Sequence, residues 1–143
     1  MRGSKEGEIA HLALEAWSDY YILVIMTWRV TIHPAANAEL AALPASEQIA
    51  IDHAIEKLTV LGERLGSPHS SSIRGTSQSL RELRPRAGRS RWRAFYRRVG
   101  SQFVIAAIGP EASVDSAGFR RAVANALTRL SIFDDDRKGN PSS

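Results

Sequence analysis

An α+β fold, in the order β-α-α-β-β-β-α with a mostly antiparallel sheet packed against a helical hairpin and a C-terminal helix, follows from three patterns in this chain. Ile51, Ala54, Ile55, Leu58, Leu61 and Leu65 recur at three-four spacing and mark the longer helix of the hairpin. The stretch from Leu80 to Gly109, LRELRPRAGRSRWRAFYRRVGSQFVIAAIG, reads as three consecutive strands separated by turns. Phe119, Val123, Ala126, Leu127 and Leu130 form the buried stripe of a last helix.

Residues 1–25 read as an N-terminal extension. Glu8 to Leu23 puts Ile9, Leu12, Ala13 and Ala16 on one helical face, whereas Met26 opens MTWRVTIHP, a start residue followed by period-two alternation. The extension is therefore either a helix of the protein or the product of an early start codon, with the main domain at 26–133. If the helix is real, Ile9, Leu12 and Trp17 would leave an apolar patch that a homodimer or hetero-oligomer would cover.

Trp28 to Ile32 is the first strand, ended by His33-Pro34, and Pro34 suits the first helical turn, where its missing N–H is not needed. Ala35 to Leu43 is a short helix with Ala36, Leu40 and Leu43 inward. Pro44 restarts the long helix, and Gly66-Ser67-Pro68 stops it. His69 to Ser79 is expected to be a polar loop.

In the meander, Leu80 to Arg84 is a short strand and Ala87-Gly88-Arg89-Ser90 offers the turn. Trp92, Ala94 and Tyr96 then share one face, and Arg91, Arg93, Phe95 and Arg97 the other. After Gly100-Ser101, the continuous apolar run Phe103 to Ile108 is a central strand buried on both sides. Asp115 or Ser116 can cap the last helix, Ala117 to Leu130. Residues 134–143, charged and then small and polar, read as a disordered tail.

At 143 residues the chain can bury a core without staples. Its formal charge is +4 and its pI about 10.0, with the arginines clustered on the meander. A basic sheet face predicts a polyanionic partner, RNA first, because the guanidinium fork matches phosphate and stays charged. The chain has no cysteine, which excludes disulfides, thiolate catalysis and sulfur-based zinc sites. Tyr20 to Met26 is too short for a bilayer span, and the acidic residues Glu6, Glu8, Glu15 and Asp19 do not suit a signal peptide, so no membrane association and a cytoplasmic location are expected.

No phosphate-binding loop, dinucleotide fingerprint or nucleophile elbow is present. His33, His53 and His69 make no metal-binding spacing, and His11 lies in the extension. His69, just before the arginine-rich strands, is an acid-base candidate. Its alternative is plain loop polarity.

Glu82-Leu83-Arg84-Pro85, then Gly88-Arg89-Ser90 and Arg93, preceded by Leu65 to Pro68 and Arg74-Gly75, resemble the HigB-like toxins of bacterial toxin–antitoxin modules. The likeness is to the phage-derived Gp49-like branch of the RelE/ParE superfamily and runs from about Trp28 to Leu130. It implies a RelE-like fold and a metal-free, cofactor-free endoribonuclease that cuts mRNA, commonly on the ribosome, and is silenced by a cognate helix-turn-helix antitoxin. Attack by the ribose 2′-OH would confine such chemistry to RNA.

The same resemblance makes Arg84 and Arg93 the groups facing the scissile phosphate, with solvated sheet-face charges as the alternative. Arg74, Arg81, Arg86, Arg89, Arg91, Arg97 and Arg98 become RNA or ribosome contacts, or charges that protect a sheet edge. Two positions depart from the family pattern: Gly109 is followed by Pro110-Glu111 without the basic residue, and Phe119 stands where an aromatic hydroxyl is expected. Glu111 is a general-base candidate in their place. A catalytically silent or ParE-like module on the same scaffold is the competing reading.

Overall fold

The computed structural model describes residues 27–76 and 79–138. The helical extension expected at 1–25 and the last residues of the tail lie outside them. Along the chain run β1 (Arg29–Ile32), α1 (Pro34–Ala41), α2 (Ala45–Leu61), β2 (Ser70–Ser72), β3 (Arg81–Leu83), β4 (Trp92–Val99), β5 (Gln102–Pro110) and α3 (Ser116–Lys138). Among the described residues the strands form one sheet in the order β1-β5-β4-β3-β2. Only β1 and β5 pair in parallel.

The sheet separates two cores. On one face Ile51, Ala54 and Leu58 of α2 meet Leu83, Ala94, Tyr96 and Ile105. On the other, Ala122, Ala126 and Leu130 of α3 meet Phe95, Val104, Ala106 and Ala107. β5 is buried on both sides, as its unbroken apolar run demands. A Cβ on Gly109 would lie 2.4 Å from the Ala122 Cβ, so glycine there is what lets α3 approach the end of β5 closely.

Two expectations are corrected. Ser70–Ser72 is a strand rather than loop, held by backbone pairing to β3 and by the Ser70 hydroxyl, which shares a 2.6 Å hydrogen bond with Tyr96. Three serines offer no apolar alternation, so nothing in their side chains signals a strand. The last helix also continues past Leu130 to Lys138, into the segment expected to be a tail. Phe133 packs on the second core, and Arg97 reaches Asp134 at 3.4 Å. Its start is the expected one, since Asp115 Oδ1 accepts the Gly118 amide at 2.9 Å.

β1 covers β5 only as far as Ile105. A register shift pairs Tyr96 with Ile105 and Phe95 with Ala107, leaving Ala106 as an extra residue. Beyond it, side chains replace the missing strand: Glu39 accepts the Ile108 amide at 3.0 Å, and Arg129 donates to the Ala106 carbonyl at 2.9 Å. The two are ion-paired at 2.8 Å. Burial pushes the Glu39 carboxyl up, but Arg129 and the Ile108 amide outweigh it and hold the group below its ordinary 4.5. A depressed carboxylate stabilises the fold above the unfolded value, and that contribution disappears as pH falls through the folded one. Urea midpoints should therefore drop below pH 4.5, and Glu39→Gln should flatten part of that drop.

Candidate functional site

Where β3 ends, the chain makes an unusual turn. The Arg84 amide donates to the His69 carbonyl at 2.8 Å, tying this point to the start of β2. Pro85 follows, and then Arg86, Ala87 and Gly88 all take positive φ, at 56°, 55° and 91°. For the two non-glycine residues this conformation costs roughly 1–2 kcal/mol each. Glu47, in the first turn of α2, holds it in place: its carboxylate accepts Arg86 at 2.7 Å and the Ser90 hydroxyl at 2.8 Å. The Arg86 hydrogen bond is the main reason the Glu47 carboxyl sits below its ordinary value. A Cβ on Gly88 would lie 3.1 Å from Arg84 Nη2, so the Arg84 guanidinium is folded back against this turn.

Arg84 opens into a groove of about 780 Å³ between α2 and the β3 end of the sheet. His69, Arg86, His53 and Lys57 line the same groove, together with Ile49 and Val60 of α2, which are 55% and 59% exposed. The half-buried Arg84 makes no ion pair with a described residue, and its buried Nε has no hydrogen-bond partner. A guanidinium in that condition is a ready receptor for an anionic oxygen.

Arg93 differs in being ion-paired, although its buried Nε also lacks a hydrogen bond. Its side chain is 1% exposed and lies between Glu82, 3.4 Å from Nε, and Glu111, 3.0 Å from Nη2. Nη1 also donates to the carbonyls of Ser90 at 2.7 Å and Trp92 at 3.0 Å. Burial and the nearby Arg84 push the guanidinium below its ordinary value, while Glu82 and Glu111 pull it part of the way back. Glu111 accepts from Ser113 as well. The two residues expected as phosphate ligand and general base are thus bound to each other, and Arg93 does not project from the sheet.

The remaining arginines divide by partner. Arg97 is buried and donates to the Leu130 carbonyl at 3.3 Å, fastening α3 instead of facing solvent. Arg81 donates to Ser70 at 2.9 Å, and Arg98 pairs with Glu63 at 2.6 Å while covering the Trp28 ring. Arg74, Arg89 and Arg91 are exposed. Phe119 packs edge-on against Phe95, centroids 5.4 Å apart, at the margin of the second core.

The structure therefore puts Arg84 with His69 on one groove and pairs Arg93 with Glu111, although Arg84 stands near enough to Arg93 to repel its charge. Sequence reasoning missed His53, Lys57 and Glu47. A signal was present: Ile49, His53, Lys57 and Val60 recur at helical spacing on the face of α2 that the core stripe leaves free. Among the described residues no group of three or more His, Asp or Glu stands where it could hold a metal ion, and no helix is long and apolar enough to cross a membrane.

Residues 38–108 match the sequence family described as phage-derived protein Gp49-like (DUF891). No curated protein sequence matches the chain significantly. Among solved structures, a doubly substituted Escherichia coli toxin RelE in the free state superposes with a TM-score of 0.54 at 13% identity, covering 73% of this chain and 99% of that one. The toxin–antitoxin complex RelBE2 of Mycobacterium tuberculosis gives a TM-score of 0.47 at 19% identity, covering 59% of this chain and 99% of that one. The RelE–RelB complex of Pyrococcus horikoshii gives 0.42 at 22% identity, covering 59% and 96%.

Proposed function

We propose, from a Gp49-like sequence carried on a RelE-like fold, that this chain is the toxin of a bacterial type II toxin–antitoxin pair and acts as an mRNA endoribonuclease. The observation that carries this reading is Arg84: a guanidinium without a carboxylate partner, held by a strained turn at the mouth of a groove that also contains Lys57, His53 and His69. Such a groove suits a phosphodiester. Arg84 would neutralise the charge that grows on the phosphate oxygens as the 2′-OH attacks. His69 or His53, which line the groove, would take the hydroxyl proton as the P–O5′ bond breaks, leaving a 2′,3′-cyclic phosphate and a 5′-oxygen that is protonated by water or by the imidazolium so formed. The chemistry needs no metal, and the ribosome and cytoplasm are where such a substrate is found. A cognate helix-turn-helix antitoxin would hold the enzyme silent.

The test is direct. Purified chain incubated with mRNA, with and without ribosomes, is expected to produce discrete cuts, and a 2′-deoxy substitution at the cut position is expected to abolish that cut. Cutting that survives the deoxy substitution would refute the mechanism.

One observation favours a second reading, a catalytically silent binding module on the same scaffold. Glu111 is already engaged by Arg93 and Ser113, and Phe119 brings no hydroxyl. RNA bound but never cut, with or without ribosomes, would decide for it.

A further inference from the structure

A second groove, of about 670 Å³, lies on the other side of the start of α2. Trp92, the first residue of β4, lines it. This tryptophan is half-buried yet packs into neither core, although alternation would place it inward with Ala94 and Tyr96. Leu43, Pro44, Val114, Arg91 and Arg121 line the groove with it. Both arginines are exposed, and neither forms an ion pair with a described residue. The acidic side chains here are committed elsewhere: Glu39 to Arg129, and Asp115 to the cap of α3. What remains available is an aromatic surface in a groove that two cations also line.

We propose that this groove binds a nucleotide of single-stranded RNA, the base stacking on Trp92 and the neighbouring phosphates meeting Arg91 and Arg121. The proposal rests on reading the chain as an RNA-acting protein. Base–aromatic stacking beside a basic track is how proteins hold single strands without reading sequence, because every base has a π face. The volume suits one nucleotide with part of its neighbour. The start of α2 borders both grooves: Pro44 lines this one, and Ser46 and Arg86, which donates to the Ser46 carbonyl at 3.3 Å, line the other. An RNA held at Arg84 can therefore pass over the start of α2 and lay its next nucleotides on Trp92. The two cations that line the groove without an ion pair favour a polyanion over an apolar peptide.

The experiment is a fluorescence-anisotropy titration of the full chain with a labelled 2′-O-methylated hexanucleotide, which lacks the nucleophile and stays intact. Trp92→Ala is expected to weaken binding about 5- to 100-fold, and Trp92→Phe to keep most of it. Arg121→Ala is expected to lower the slope of log affinity against log salt by about one. Thermal unfolding of each variant reports on the fold, and the exposed Arg121 gives a variant that leaves both cores untouched. Hexanucleotide affinity and salt slope unchanged in Trp92→Ala and Arg121→Ala would overturn the proposal. So would a hexaglutamate peptide that binds more tightly than the RNA and is lost with Trp92→Ala, since the groove would then belong to a protein partner. The two readings fail separately. RNA cut normally by a Trp92→Ala chain of unchanged affinity sinks only this site, and RNA bound through Trp92 but never cut sinks only the nuclease.

Discussion

Arg93→Ala is expected to destabilise the protein by about 3–5 kcal/mol, the cost of removing one member of a buried ion pair and leaving the other uncompensated. The side chain is 1% exposed, and its loss would leave Glu82 and Glu111 without their cation and the carbonyls of Ser90 and Trp92 without this donor. Against a total stability of about 5–15 kcal/mol for an ordinary domain, this is a large fraction. A urea denaturation series would show it as a lower midpoint at unchanged slope. An unchanged midpoint would mean that the carboxylates are satisfied by water and that Arg93 is dispensable to the fold. Any activity lost in this variant would report on folding first.

Arg84→Ala should do the reverse. The side chain is half-buried, its Nε has no partner, and no carboxylate depends on it, so the denaturation midpoint should scarcely move. Under the proposed nuclease reaction, removing this donor should slow RNA cleavage about 10²- to 10³-fold, the usual effect of deleting one preorganised stabiliser of a developing anion. Single-turnover cleavage at saturating enzyme separates that loss from weaker binding. A variant that cuts at the wild-type rate would remove Arg84 from the chemistry.

The contrast between these two arginines marks how far the residues alone could be read. Periodic elements were legible because their side chains meet the core at fixed spacing: the α2 stripe, the double-sided burial of β5, and the Asp115 cap of α3. β2 was not, because three serines gain their strand conformation from backbone pairing with β3 alone. Parallel pairing of β1 with β5 joins residues far apart in the chain, and no local pattern encodes it. Arg84 and Arg93 look alike in sequence, each in an arginine-rich strand region. What distinguishes them is tertiary: Glu111 returns from beyond β5 to pair with Arg93, whereas the turn at Gly88 carries Arg84 toward the groove. Trp92 misled for a related reason. Alternation gave it an inward face, but it sits at the end of β4, opposite Pro110, where the sheet has run out of core.

The half-covered flank of β5 carries a consequence for how copies of this chain behave toward one another. An open strand edge is a template for a neighbour's strand, and proteins that leave one exposed tend to join through it. Here Glu39 and Arg129 occupy the Ala106 carbonyl and the Ile108 amide, so the two groups most able to recruit a foreign strand are already spoken for. That protection adds an ionic part to the burial of Ala106 and Ile108 under the flanking helices. It is complete while Glu39 is charged and weakens only when acid neutralises a carboxyl held below its ordinary 4.5, so self-adhesion should set in below that pH, together with the loss of stability.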